Sequence, residues 1–123
     1  MAVVLLVEDN LAFRQSLKET LCSRYPSTDI KEAGDGQEAI EKIKLSPPDL
    51  IFMDIKLPGE NGLILTRKIK AEYPEIVIVI LTSYDLPEYR EAAFQCQANH
   101  FFTKSSPTHE IFAAVQSVLS CQD

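Results

Sequence analysis

Five side chains suited to metal and phosphoryl chemistry share one kind of placement in this chain. Glu8 and Asp9, Asp54, Thr82 and Lys104 each stand where a near-continuous apolar run ends. Two carboxylates about 5 Å apart repel by roughly 3 kcal/mol at an effective dielectric of about 20, and a cation would relieve that. Hard oxygen ligands in a half-open site favour Mg²⁺, which keeps several waters and takes a few carboxylates plus a phosphate oxygen. Asp54 is a poor residue to close a buried strand unless it is hydrogen-bonded or coordinated. Lys104 adds the sign that a carboxylate cluster lacks, with an ammonium able to contact Asp54 at rest and a phosphoryl oxygen after transfer. Thr82 adds a hydroxyl donor. Each residue alone has an ordinary reading: a solvated loop and helix cap for Glu8 and Asp9, a turn former for Asp54 or Thr82, a surface lysine for Lys104. Their conjunction is far more specific than any member.

The runs that would position them are residues 2–7, 50–53, 76–81 and the short 101–102. They are apolar at every position rather than at alternate ones, as a parallel sheet covered by helices on both faces requires. Between them lie helical segments. Asn10 caps a helix to about Arg24 with Phe13, Leu17 and Leu21 on one face. A more polar strand over Asp29–Ala33 suits a sheet edge. Asp35 and Glu38 have capping-box spacing for a second helix carrying Ala39, Ile40 and Ile43, which stops before Pro47 and Pro48. The turn-rich loop 55–62 opens a third helix over 63–72. Asp85 and Glu88 repeat the capping-box spacing at a fourth helix, with Pro87 in its first turn. Ser106 caps a fifth, with Pro107 at its first position and Ile111, Phe112, Val115, Val118 and Leu119 as its buried stripe. Five strand–helix pairs make a doubly wound α/β fold. In such a sheet ligands bind beyond the carboxyl ends of the strands, where the order reverses, so residues distant in sequence converge.

Composition narrows the classes. With 123 residues, 46% of them hydrophobic, and 24% charged, the chain is expected to form one globular domain spanning 1–123. A net charge of −6 argues against direct nucleic-acid binding or an acidic membrane surface, and fits a cationic partner or a metal. Cys22, Cys96 and Cys121 are odd in number and lack ligand spacing, as expected of reduced thiols in a cytoplasmic protein. No apolar run approaches membrane-spanning length. His100 and His109 have no partners at ligand spacing.

Leu5-Leu6-Val7-Glu8-Asp9-Asn10 resembles the acidic turn of the receiver domains of bacterial two-component response regulators. Asp49-Leu50-Ile51-Phe52-Met53-Asp54-Ile55-Lys56-Leu57-Pro58-Gly59-Glu60-Asn61-Gly62 is similar to that family's phosphoacceptor strand and loop. Ile80-Leu81-Thr82-Ser83 and Ala98-Asn99-His100-Phe101-Phe102-Thr103-Lys104 resemble its last two signatures, so the likeness covers essentially the whole chain. It implies a flavodoxin-like (βα)5 fold of strand order 2-1-3-4-5. It also implies roles. Asp54 would take a phosphoryl group from a histidine kinase or phosphotransfer protein. Glu8, Asp9, Asp54 and the Lys56 carbonyl would hold Mg²⁺, Glu8 through water. Thr82 and Lys104 would bind phosphoryl oxygens, Thr82 and Phe101 would form the switch, and Lys56 and Tyr84 would tune phosphoryl lifetime. The resemblance implies a phosphoacceptor rather than an enzyme acting on other substrates. Its output surface lies around the fourth helix, fifth strand and fifth helix, also a candidate homodimer face. Gln97 replaces a frequent family glycine and Ser105 a frequent proline.

Three other readings compete. A metal-dependent phosphatase usually has a second Asp two positions after its nucleophile, where this chain has Lys56. A flavodoxin-like cofactor binder needs a Ser/Thr/Gly-rich phosphate loop after the first strand, and Glu8-Asp9 would repel a phosphate there. A degenerate receiver acting only as an interaction module would usually have lost Asp54, Lys104 or an acidic-turn residue, and all are present.

Overall fold

The computed structural model describes residues 2–120, so Cys121 lies outside the described residues. The apolar runs become the strands β1 (Val3–Val7), β3 (Leu50–Met53), β6 (Val77–Thr82) and β7 (His100–Thr103), joined at one edge by the more polar β2 (Asp29–Ala33). The five are parallel in the order β2-β1-β3-β6-β7, which is 2-1-3-4-5 when only the strands of this sheet are counted. The order reverses between β1 and β3, and the register pairs Val7 with Met53. The residues after those two, Glu8 and Asp54, therefore leave the sheet side by side.

Strand residues alternate between two cores, which is why the runs are apolar throughout. Leu5, Val7, Ile51, Met53, Ile78 and Ile80 face α2 (Gly36–Leu45), α3 (Gly62–Glu72) and α4 (Pro87–Gln95), burying Ile43, Ile69 and Ala93. Val4, Leu6, Leu50, Phe52, Val79 and Leu81 face α1 (Leu11–Arg24) and α5 (Thr108–Ser120), burying Leu21, Phe112, Val115 and Leu119. Full burial of a side chain such as Phe112 contributes about 2 kcal/mol or more.

The α1 and α2 caps form as the sequence implies. Asn10 accepts the Phe13 amide at 3.0 Å and Asp35 the Glu38 amide at 2.8 Å. The α4 cap does not. A residue before proline is driven out of the helical region, so Leu86 is extended and becomes the N-cap without a side-chain bond, and Asp85 falls one residue too early. Pro87 does take the first helical position. Ser106 is also redirected: its hydroxyl accepts the Thr103 amide at 3.1 Å, and α5 begins at Thr108, after Pro107. The 55–62 loop contains a small antiparallel ribbon, β4 (Lys56–Leu57) with β5 (Glu60–Asn61), turned by Gly59 at φ 73°. Gln97 holds φ 72°, so the turn before β7 keeps the left-handed geometry for which glycine is the easy residue, at some backbone strain. No helix among the described residues is long and apolar enough to cross a membrane.

Candidate functional site

The acidic turn and Asp54 are placed by ladder bonds that run one step past the strands. Glu8 donates its amide to Ala33 at 3.0 Å, and Asp54 donates to the Val7 carbonyl at 3.1 Å. Carboxylate oxygens of Glu8, Asp9 and Asp54 all lie within 4.8 Å of one another, the one such group of potential metal ligands among the described residues. Glu8 and Asp54 are buried while Asp9 is exposed, so the cluster is closed below and open above. Three hard oxygen donors with solvent on one side fit a small dication that retains water.

Lys104 reaches this cluster along the same carboxyl edge of the sheet, from the end of the outermost strand β7. Its amide donates to the Thr82 carbonyl at 2.8 Å, extending the β6–β7 ladder, and its ammonium lies 2.6 Å from Glu8 and 3.3 Å from Asp54. Asp54 uses its other oxygen to accept the Ile55 amide at 2.8 Å, and Glu8 its other oxygen to accept the Asn10 amide at 3.0 Å. Both buried carboxylates are thus fully engaged, as groups out of water must be. Burial pushes the Glu8 carboxyl above its ordinary value, Asp54 adds to that, and the bonds from Lys104 and Asn10 only partly oppose it. For Lys104 burial would favour the neutral amine, but the contacts with Glu8 and Asp54 outweigh it and raise the ammonium above its ordinary value. Burial dominates the first shift, and the two carboxylates around the ammonium dominate the second.

Thr82 is fully buried at the end of β6, and its hydroxyl accepts the Tyr84 amide at 3.2 Å. Phe101 is turned inward at 4% exposure, with the Arg90 guanidinium 4.8 Å from its ring centre. Lys56 and Tyr84 meet: the Lys56 ammonium lies 5.3 Å from the centre of the Tyr84 ring, a cation–π distance. These two residues join the β3–β4 side of the site to the β6–α4 loop.

Three participants were not singled out from the sequence. Arg14 on α1 donates to the Glu8 carbonyl at 2.7 Å and to Glu32 at 3.0 Å, bracing the acidic turn against β2. Burial opposes ionisation of Glu32, but Lys18 and Arg14 together hold its carboxyl below the ordinary value. Gly62 lies against Asp54, where a Cβ would stand 1.9 Å from the Asp54 carbonyl oxygen. Phe13 carries the Lys104 ammonium 4.5 Å from its ring centre. Phe13 lies one helical turn beyond the acidic residues, but its place in the α1 stripe reads as core, so nothing local marks its contact with Lys104.

The model of the response regulator receiver domain matches residues 4–116. Oxygen regulatory protein NreC of Staphylococcus haemolyticus is 33% identical over 116 residues, which are 94% of this chain and 54% of that protein. The chain therefore spans about half the length of the curated relatives it matches. A LuxR-family two-component response regulator from Aurantimonas sp. SI85-9A1 superposes with a TM-score of 0.87 at 30% identity, over 98% of this chain and 86% of that one. The Mn²⁺-bound form of response regulator Rcp1 superposes with a TM-score of 0.81 at 26% identity, over 98% of this chain and 93% of that one.

Proposed function

Because the chain belongs to the response regulator receiver family of two-component systems, we propose that Asp54 is its phosphoacceptor and that phosphorylation of Asp54 is the signal it carries. The observation that supports this most is the Lys104 ammonium set between Glu8 and Asp54 at 2.6 and 3.3 Å, beside a carboxylate cluster compact enough for one dication. An Asp54 carboxylate oxygen attacks the phosphorus of a phosphohistidine on a kinase or phosphotransfer partner. The P–O bond forms as the P–N bond breaks, and the imidazole, already protonated on its other ring nitrogen, leaves as the neutral ring with the P–N electron pair. Lys104 moves from Asp54 to an oxygen of the arriving group, and the Thr82 hydroxyl donates to another. Glu8, Asp9, Asp54 and the Lys56 carbonyl would hold Mg²⁺, which neutralises the phosphoryl charge during transfer; the Mn²⁺-bound state of Rcp1 supports that assignment. Positioning and charge neutralisation suffice for such a reaction, with no base required. The chain assists its own phosphorylation and dephosphorylation and is not an enzyme acting on other substrates.

When Thr82 engages the phosphoryl group it releases the Tyr84 amide, and the loop into α4 changes. Phe101 and its Arg90 cover are the next layer outward, so the population shift reaches the surface of α4, β7 and α5. That surface is the face for an effector or a second copy. Transfer from a phosphohistidine donor should label the chain in the presence of Mg²⁺ and not with EDTA; labelling that survives EDTA would contradict the metal assignment.

The Lys56–Tyr84 contact supports a lifetime role. An ammonium over a ring closes one approach for the water that hydrolyses the acyl phosphate. Tyr84→Ala is expected to shorten the phosphorylated state's lifetime about threefold, of the order of one exposed cation–π contact. The decay of intact phosphorylated mass with time checks this, and an unchanged or longer lifetime would count against it.

A further inference from the structure

Phe13 forms the wall behind the ammonium that pairs with Glu8 and Asp54. The Lys104 Nζ lies 4.5 Å from its ring centre while making the contacts to Glu8 and Asp54. The ring is fixed from both ends. Its own amide is held by the Asn10 side chain at 3.0 Å, directly after the acidic turn, and its side chain packs on the α1–α5 core. It also lines two spaces. One is a small void under Glu8 and Asp54 lined by Leu6, Leu17 and Leu81; the other is a cavity of about 90 Å³ between α1 and α5 that reaches Lys104, Ser106 and Thr108.

A lysine has a flexible four-carbon stem and a strongly hydrated head, so two carboxylates alone do not fix where its nitrogen sits. A ring face opposite them adds a third attraction and excludes water from that side. The ring attracts the cation through its quadrupole and carries no charge of its own, so it does not compete with the two carboxylates that already hold the ammonium. Relying on Asp54 phosphorylation as proposed above, we infer that Phe13 is a positioning residue: through cation–π contact it holds the Lys104 ammonium at the height where it passes from the Asp54 carboxylate to the incoming phosphoryl group. Nothing in this role requires Phe13 to touch the phosphoryl group itself.

The test is a series at position 13: phenylalanine, 4-fluoro-, 3,5-difluoro- and pentafluorophenylalanine placed by site-specific incorporation, together with Phe13→Leu and Phe13→Trp. The readout is the rate of phosphoryl uptake from acetyl phosphate at saturating Mg²⁺, with the midpoint of thermal unfolding measured beside it. Fluorination drains the ring's negative face at nearly constant shape. The logarithm of the rate should therefore fall stepwise along the series, by about fivefold in all, while Phe13→Trp retains or exceeds the wild-type rate. The unfolding midpoint should not follow the same order. A rate that is flat along the fluorinated series overturns the inference, whether or not Phe13→Leu is slow, because the ring would then act through bulk alone. Rates that track the unfolding midpoint overturn it also. Absence of phosphoryl uptake by the wild-type chain removes the phosphoacceptor reading, and this inference with it; uptake by wild type with a flat series removes only the inference.

Discussion

Lys104→Met is expected to slow phosphoryl uptake from acetyl phosphate about a hundredfold, the loss typical of removing one preorganised donor from a developing oxyanion. The substitution keeps the length and most of the apolar stem, which stays against Phe13, and deletes only the ammonium. The same change exposes a second property of the site. Glu8 and Asp54 are 5% and 6% exposed, and without Lys104 they face one another with no cation. Breaking a buried pair by removing one partner costs about 3 kcal/mol. The metal-free variant should therefore be less stable at neutral pH, with part of the loss restored by Mg²⁺, since a ligand that binds only the folded state stabilises it. Slow uptake with wild-type stability would place the ammonium in solvent rather than between the carboxylates. Uptake at the wild-type rate would contradict its role in phosphoryl binding.

Gly62→Ala is the second large effect, and its cause is steric. Gly62 begins α3 at the point where the chain folds back on the Asp54–Ile55 segment: its amide donates to the Ile55 carbonyl at 2.7 Å, and Asn61 caps the helix by accepting the Leu63 amide at 2.7 Å. A Cβ there would lie 1.9 Å from the Asp54 carbonyl oxygen and 3.0 Å from the Ile55 Cα. The obstacle is backbone on both counts, so no side chain can swing away. The strand end or the helix start must move, for about 3 kcal/mol of stability, at the upper end of what overpacking costs. Because the displaced peptide is that of Asp54, phosphoryl uptake should fall as well. Urea unfolding measures the first effect and the uptake rate the second. A variant as stable as wild type would show that the close approach is relaxed in solution.

The sheet and the candidate carboxylate–lysine cluster were both legible in the sequence, for one shared physical reason. Strands buried on both faces must be apolar at every position, so a charged residue at the end of such a run marks the place where the chain emerges from the core. That rule located Glu8, Asp9, Asp54 and Lys104, and the structure brings their side chains together. The resemblance to receivers then supplied roles that composition alone does not assign. What escaped detection depends on contacts between elements. The backbone approach at Gly62 is invisible in a loop already rich in turn formers, and the β4–β5 ribbon is too short to show any periodicity. Phe13 and Arg14 sit on a helix whose pattern is satisfied by core and solvent, so nothing local marks their reach to Lys104 and the Glu8 carbonyl. The misplaced cap at Asp85 has a local cause instead: the restriction that Pro87 imposes on Leu86 outweighs the Asp–Glu spacing.

The measurement that bears most directly on the phosphoacceptor assignment is the intact mass of the chain after incubation with acetyl phosphate and Mg²⁺, for wild type and for Asp54→Asn. The expected result is the addition of a single phosphoryl group to the wild type, stable in acid and lost in base as an acyl phosphate is, and its complete absence from Asp54→Asn and from wild type treated with EDTA. Equal addition to wild type and Asp54→Asn, or no addition to wild type even from a cognate kinase, would contradict it.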